Sequence, residues 1–353
     1  MEKAILILSW VLILGSFLPS LRLTHWSVRN FDFIRVQTIF LQIALILLFV
    51  FFIDKHTPFN ASTLSILVIA LFYQCYIIFP FIPKSGKTKY TGKTPSSISV
   101  LSINVYQDNT EYGRTIDLIK AHNPDILLTL ETNQAWDNAL QEIESRYSKK
   151  LKIPRENTYG MHLYTNLEVD FIKAHYFVSD ERPAIEAHLR DSQNNRFIFW
   201  GIHPPPPSPT EMETSKQKDA ELMIVAKEVL KSELPTLVIG DFNNVCWSRS
   251  ARLFSKVSKL KDARKDSGLY STFPVKPALL RFPLDLLYYS EGIKIDTLNT
   301  LSDVGSDHLP FFSWFHISSE ETKQPKEVSD ELEETTDTII KEGMEEVNED
   351  KGI

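Results

Sequence analysis

Three apolar stretches precede residue 83, and they constrain this chain more than anything that follows them. Residues 4–18 read AILILSWVLILGSFL. Residues 36–53 are apolar apart from Gln37, Thr38 and Gln42, and residues 64–82 are interrupted only by Ser65, Gln74 and Pro80. A membrane-spanning helix takes ~20 mostly apolar residues, with ~17 as a lower limit. The second and third stretches meet that limit, and the first does so if Pro19 and its flanks extend it. The competing readings are a buried hairpin in a soluble core and, for the first stretch alone, a cleaved signal peptide. No small-x-small cleavage site is evident. The expectation is therefore an anchor of three transmembrane helices over residues 1–83.

With three spans, the loop 19–35 lies on the same side as everything after residue 83. That side carries Arg22, Arg29, Arg35, Lys84, Lys87, Lys89 and Lys93, against Lys3 and Lys55 on the other. The positive-inside rule then favours a cytoplasmic main domain. Lys3 before a short apolar run also suits a signal anchor that places the domain outside, so the side stays open.

Net charge discriminates little until it is divided by region. The chain totals −7, but residues 317–353 alone hold thirteen Asp/Glu against four Lys, a net of −9. The remainder is near neutral, which excludes a strongly basic nucleic-acid binder and an acidic domain that would repel phosphate. The tail is too polar to bury a core and is expected to be disordered or transiently helical, either a solvated tail or an interaction segment. Cys75 and Cys246 make no disulfide framework and no Cys-x-x-Cys site.

Residues 84–95, within KSGKTKYTGKTPSS, read as a polar linker, and residues 96–316 as the main domain. In that domain short apolar runs alternate irregularly with helical patterns. Strands are expected at 98–105, 126–130, 185–189, 197–202, 237–240, 284–289 and 311–315, and helices at 115–122, 136–143 and 211–230. The pattern fits an α/β domain of two packed sheets covered by helices rather than a regular parallel repeat. No Gly-rich phosphate loop and no G-x-S-x-G elbow occurs.

The polar residues that could carry chemistry stand at strand ends. Asn104 ends the first strand and Glu131 the second, in PDILLTLE. His203 follows FIFWGI, Asp241 and Asn243 follow LVIG, and Asp307 and His308 precede the last strand. Ligands gather beyond strand ends in open sheets. Singly, each residue reads more readily as a cap, a turn residue or a surface or satisfied core histidine. Asp285, inside the apolar run PLDLLYY, needs a partner or a cation. Together the set suits phosphoester hydrolysis. Carboxylates and an amide oxygen suit a hard cation such as Mg²⁺ or Mn²⁺, an Asp can orient or deprotonate water, and a His oriented by an Asp can stabilise phosphoryl charge.

The ordered motifs SINVYQDN, PDILLTLET, GIHPPPP, VIGDFNNV, PLDLLYYS and GSDHLPFF resemble the endonuclease/exonuclease/phosphatase superfamily over about residues 96–316. The resemblance implies a four-layered α/β sandwich, two packed mixed sheets flanked by helices. It implies Glu131 as the main metal ligand with Asn104 and Asp307, Asp241 positioning or activating water, Asn243 and His203 at the phosphate, and a His308–Asp285 pair. Two departures stand out. Leu284 and Leu286 flank Asp285 where many members carry Arg and His, and YGMHLYTN lacks the Ser-Arg often found there. The N-terminal spans together with the His-Pro-Pro-Pro-Pro run resemble a membrane-anchored branch of bacterial cell membranes.

Three functions follow as expectations. The first is a membrane-tethered phosphoesterase acting on a small or lipid-linked phosphate. The second is a nuclease, for which residues 249–265, with seven cations against Asp262, could track a phosphate backbone. The third is a non-enzymatic membrane scaffold working through the acidic tail. The number of metal ions and the oligomeric state have no signature in the sequence.

Overall fold

A computed structural model of the chain describes residues 1–54, 57–84, 93–318 and 327–351. Most of the expected linker at 84–95, and parts of the tail, lie outside those residues.

The N-terminal part is helical: α1 (Glu2–Phe17), α2 (Trp26–Phe33), α3 (Arg35–Phe52) and α4 (Pro58–Ile78). With their short extensions, α1, α3 and α4 are long and apolar enough to cross a membrane. They pack on one another through Ile5, Ile13, Leu45, Phe49 and Leu67, while Leu14, Phe40, Phe51, Phe72 and Tyr76 face outward. Polar side chains pair between the helices near one end. Gln42 donates to Ser16 Oγ at 2.8 Å, Gln74 donates to the same oxygen at 3.2 Å, and Arg35 donates to Gln74. Such pairs satisfy polar groups buried between the helices. The short α2, absent from the sequence reading, has the His25 ring accepting from the Ser27 amide at its N-terminus.

The main domain runs β1 (Ile98–Asn104), α5 (Tyr112–His122), β2 (Ile126–Leu130), α6 (Gln134–Glu144), β3 (Lys149–Ile153), β4 (Met161–Thr165), β5 (Glu168–His175), β6 (Ala184–Arg190), β7 (Arg196–Ile202), α7 (Lys216–Lys231), β8 (Thr236–Asp241), α8 (Arg249–Ser258), β9 (Lys261–Asp262), β10 (Asp285–Tyr289), β11 (Ile293–Thr300), β12 (Phe311–Ile317) and α9 (Asp330–Lys351). Two six-stranded mixed sheets result, ordered β11-β12-β1-β2-β4-β3 and β5-β6-β7-β8-β10-β9. Their inner faces meet in a core that includes Val100, Leu128, Leu163, Phe197, Leu237 and Phe315. On the outer face of the first sheet, Leu101, Ile103 and Leu127 pack with Ile116 and Ile119 of α5 and Trp136 and Leu140 of α6. On the outer face of the second, Trp200 and Val238 pack with Met223 and Val225 of α7 and Phe254 of α8. The order helix, sheet, sheet, helix is the expected four-layered sandwich. Because both faces of each central strand are covered, β1 and β2 are buried along their whole length.

Local chemistry sets the helix ends. Asn123 closes α5 in a left-handed conformation (φ 42°) just before Pro124. Asn133 caps α6 by accepting from the Trp136 amide at 3.0 Å, and Ser248 caps α8 from the Ala251 amide at 3.1 Å.

Two expectations are corrected. The helix expected over 211–230 begins only at Lys216. The preceding residues instead pair with the start of α2, the Trp26 amide donating to Glu213 O at 2.9 Å and the Ser215 amide to Thr24 O at 2.8 Å. The acidic tail, expected to be disordered or at most transiently helical, carries a stable helix, α9, packed along α7. Most of its acids lie outward, while Thr336 and Val347 are buried and Leu332, Ile339 and Ile340 pack against the core. Gly343 makes the close approach possible: a Cβ there would stand 2.4 Å from Ala220 Cβ. Composition misled because a narrow apolar stripe is enough when a neighbouring helix covers it.

Candidate functional site

The two sheets bring their strand ends together at one edge. β1 and β2 run parallel with Asn104 opposite Leu130, so Asn104 and Glu131 emerge side by side. β7 and β8 run parallel with Ile202 opposite Gly240, so His203 and Asp241 emerge side by side. β10 runs antiparallel to β8 with Asp285 directly opposite Asp241.

Two glycines permit the close packing behind these residues. A Cβ on Gly240 (φ +151°) would lie 2.0 Å from Ile202 O, and one on Gly160 would lie 1.8 Å from Thr132 O. Glu131 itself holds φ 61°, unusual for a residue with a side chain, at a strand end pinned by the Val105 amide to Leu130 O and the Thr132 amide to Gly160 O. Such strain persists only where the surroundings over-determine it, and it recurs at functional sites.

The Asn104 side-chain amide donates to Glu131 Oε1 at 2.7 Å and, across the sheet interface, to Asp241 Oδ2 at 3.2 Å. The Gln107 amide donates to Glu131 Oε2 at 3.2 Å. Asp241 Oδ1 accepts from the Asn243 amide at 2.8 Å, and the Asn243 side chain donates to Pro204 O at 3.0 Å. Lys218, fully buried beneath, donates to Asn243 O at 3.3 Å, and burial pulls its ammonium down to about 8.

His308 bridges the two aspartates. Its Nδ1 lies 2.9 Å from Asp285 Oδ2, and its Nε2 lies 3.5 Å from Asp241 Oδ2. Burial alone would lower its pKa. The carboxylates of Asp241, Asp285 and Asp307 outweigh that and raise it to about 10. Burial also raises the Asp307 carboxyl above its ordinary value, and Glu131 and Asp241 add repulsion. His203 Nε2 lies 3.8 Å from Asp241 Oδ2, and its buried Nδ1 has no hydrogen-bond partner within the described protein atoms. In the expected turn, Ser306 Oγ donates to Asn104 O at 2.7 Å and accepts from the His308 amide at 3.0 Å.

All eight residues singled out in the sequence therefore meet at one place. Glu131, His203, Asp241, Asn243, Asp307 and His308 line a cavity of about 510 Å³, with Asn104 and Asp285 bonded to lining side chains. No Lys or Arg is among the described residues that line it. Four carboxylates, those of Glu131, Glu211, Asp241 and Asp307, line it, a donor set that suits a hard divalent cation. Asp241, Asp285 and His308 also form a compact group whose ligand atoms all lie within 4.8 Å of one another and could bind a metal. In that group, however, His308 is already engaged by the Asp285 carboxylate.

Residues 101–308 match the endonuclease/exonuclease/phosphatase family. The chain belongs to that family. Its members are divalent-metal-dependent hydrolases of phosphoester bonds, so this family member is an enzyme of that class. Solved structures with the same fold include Danio rerio TDP2 complexed with a single-strand DNA product (14% identity, TM-score 0.53, covering 63% of this chain and 99% of that one). The human Nocturnin catalytic domain (16%, 0.51, 64% and 96%) and a mannosyl-6-phosphatase of Bacteroides thetaiotaomicron (17%, 0.50, 62% and 99%) are similar as well. No curated protein matches the chain in sequence.

Some residues of the cavity carried no signal in the sequence. Tyr159 and Glu211 line it, the Tyr159 hydroxyl donating to Glu211 Oε1 at 3.0 Å. Burial, then the Asp241 charge, raises the Glu211 carboxyl. Glu211 fell inside what read as a helix, and Tyr159 in a segment without periodicity. Arg264, one of the seven cations of residues 249–265, is fully buried. It stacks over the Phe311 ring at 4.5 Å and donates to Asp285 O, fixing the start of β10.

Proposed function

We propose that this family member is a membrane-anchored phosphoesterase that hydrolyses a phosphoester or diphosphate, lipid-linked or small, by metal-assisted attack of water with Mg²⁺ or Mn²⁺. The observation that carries the reading is a cavity lined together by Glu131, Asp241, Asp307 and His308, with no Lys or Arg among the described residues of its walls. Asn104, Glu131 and Asp307 would hold the cation, which when bound neutralises phosphate oxygens. Asp241, fixed by the Asn243 amide, orients the attacking water and takes its proton. His308, oriented by Asp285, donates Nε2–H to a phosphoryl oxygen as charge develops there. His203 and Asn243 complete the phosphate contacts.

Membrane residence draws on the outward apolar faces of α1, α3 and α4, where large side chains such as Leu14, Phe40, Phe51, Phe72 and Tyr76 lie open. It also draws on the loop 19–35 packing against the catalytic domain, as three spans require. The nuclease reading has less behind it, because no residue of 249–265 lines the cavity.

The purified chain in detergent micelles, with Mg²⁺ or Mn²⁺, is offered a polyprenyl diphosphate, a phosphoinositide and plasmid DNA. Phosphate release from either lipid, lost in Glu131→Ala and His308→Ala, is the expected result. Inertness on all three refutes the proposal, and cleavage of DNA alone reverses the ranking of substrates.

A further inference from the structure

One wall of the catalytic cavity comes from the anchor. Asn30 and Phe33 of α2, and Ile34 at the α2–α3 junction, line it beside Phe273, Phe282 and Leu284. Phe33 meets Phe282 edge-on, with ring centroids 5.7 Å apart at 90°. The wall is held rigidly. Besides the two backbone bonds from 24–26 to 213–215, Trp247 Nε1 donates to Asp32 O at 2.8 Å, and Arg35 Nε donates to Asp32 Oδ1 at 2.9 Å.

The segment carrying Phe273 and Phe282 doubles back on itself, the Thr272 and Phe273 amides both donating to Phe282 O. Its tip reaches α3, where Gln37 donates to Leu279 O at 3.1 Å. At that tip Leu279 is 89% exposed and Leu280 47% exposed, beside the first turn of a helix apolar enough to span a membrane. Ile34 is 39% exposed as well. Apolar side chains left open at this level lie where a bilayer begins.

The geometry points to a substrate site shared between domain and anchor. The phosphate sits at the carboxylate–histidine end, and an apolar substituent lies along Phe33, Ile34 and Phe282 toward the lipid surface. Asn30, Phe33 and Ile34 thereby become specificity-determining residues lying outside the segment that matches the family. This inference rests on the phosphoesterase reading for which end takes the phosphate, but its test does not depend on turnover.

Binding of methylphosphonate and hexylphosphonate to the full chain in detergent with Mg²⁺ is followed by phosphorus NMR. Several methylenes meeting the wall should tighten hexylphosphonate by about tenfold or more over methylphosphonate. Ile34→Asn should collapse that ratio, and Ile34→Leu should keep it. Partition into micelles is common to all variants and cancels. An unchanged ratio in Ile34→Asn, equal binding of the two probes, or no binding of either overturns the inference. Hexyl phosphate hydrolysis is measured in parallel. Selective binding without hydrolysis supports the shared site and counts against the phosphoesterase reading instead.

Discussion

Beneath the Tyr159 wall of the cavity, α7 buries a carboxylate that nothing satisfies. Glu221 is 2% exposed, and neither of its side-chain oxygens accepts a hydrogen bond from a described protein group. Its nearest cation, Arg182, stands 3.8 Å away and donates instead to Gln217. Burial pushes the Glu221 carboxyl from 4.5 up to about 7, the Arg182 charge offsetting only part of the cost. Because the folded value is the higher one, the folded state binds the extra proton. The associated stability is complete below pH 4.5 and is lost as pH rises through about 7. At 1.36 kcal/mol per pKa unit, that difference amounts to about 3 kcal/mol. Glu221→Gln removes the titration. The variant should match the wild type near pH 4.5 and gain on it steadily up to pH 8, by at most about 3 kcal/mol. For a protein of this size that is roughly 4 °C in Tm. Thermal unfolding of both proteins in detergent, in steps from pH 4.5 to 8, measures the gap. Parallel curves at every pH would falsify the view that Glu221 is buried without compensation.

Three further outcomes are expected. Asp285→Asn and His308→Ala should each lower kcat by about 10²- to 10⁴-fold, the range for a lost proton donor. Far-ultraviolet circular dichroism should stay unchanged, and a loss below tenfold in phosphate-release assays would remove the pair from the mechanism. Chelation by EDTA should abolish turnover and added Mg²⁺ or Mn²⁺ restore it, whereas activity persisting after exhaustive dialysis against chelator would exclude the metal role of Glu131 and its neighbours. Gly343→Leu should lift α9 from α7, since its Cβ would meet Ala220 Cβ at 2.4 Å. Limited proteolysis should then cut the chain after residue 327 far faster than in the wild type, and equal rates would show that α9 is not held by this contact.

How far the sequence carried these conclusions depended on the range of each signal. Asn104, Glu131, His203, Asp241, Asn243, Asp285, Asp307 and His308 were legible because each sits next to an apolar strand, so local pattern and motif coincide. The meeting of Asp285 with Asp241 was not, because it follows from antiparallel pairing of β10 with β8 across more than forty intervening residues. Strands β3, β4, β5 and β11 escaped notice for a different reason. β3 and β5 lie at sheet edges with charged outward residues, and β11 carries a bulge between Ile295 and Thr297 that breaks its alternation. The contribution of α2 to the cavity was beyond reach of any local reading. WSVRNFDF resembles a polar loop between spans until the chain some 190 residues later folds against it.

The bond from Asn104 to Asp241 has a mechanical corollary. Its donor belongs to one sheet and its acceptor to the other, at 3.2 Å. Any slippage of the sheets is therefore amplified at that edge into misalignment of the reacting groups. Interior layers such as Phe197 against Phe315, rings 5.7 Å apart and crossed at 77°, set the spacing like the leaves of a vernier. Trimming one of them by a few atoms would leave every reacting side chain in place on its own strand. It would still detune turnover, since misplacement by about 1 Å can cost on the order of 100-fold. In this architecture the hydrocarbon interior doubles as the calibration of the chemistry.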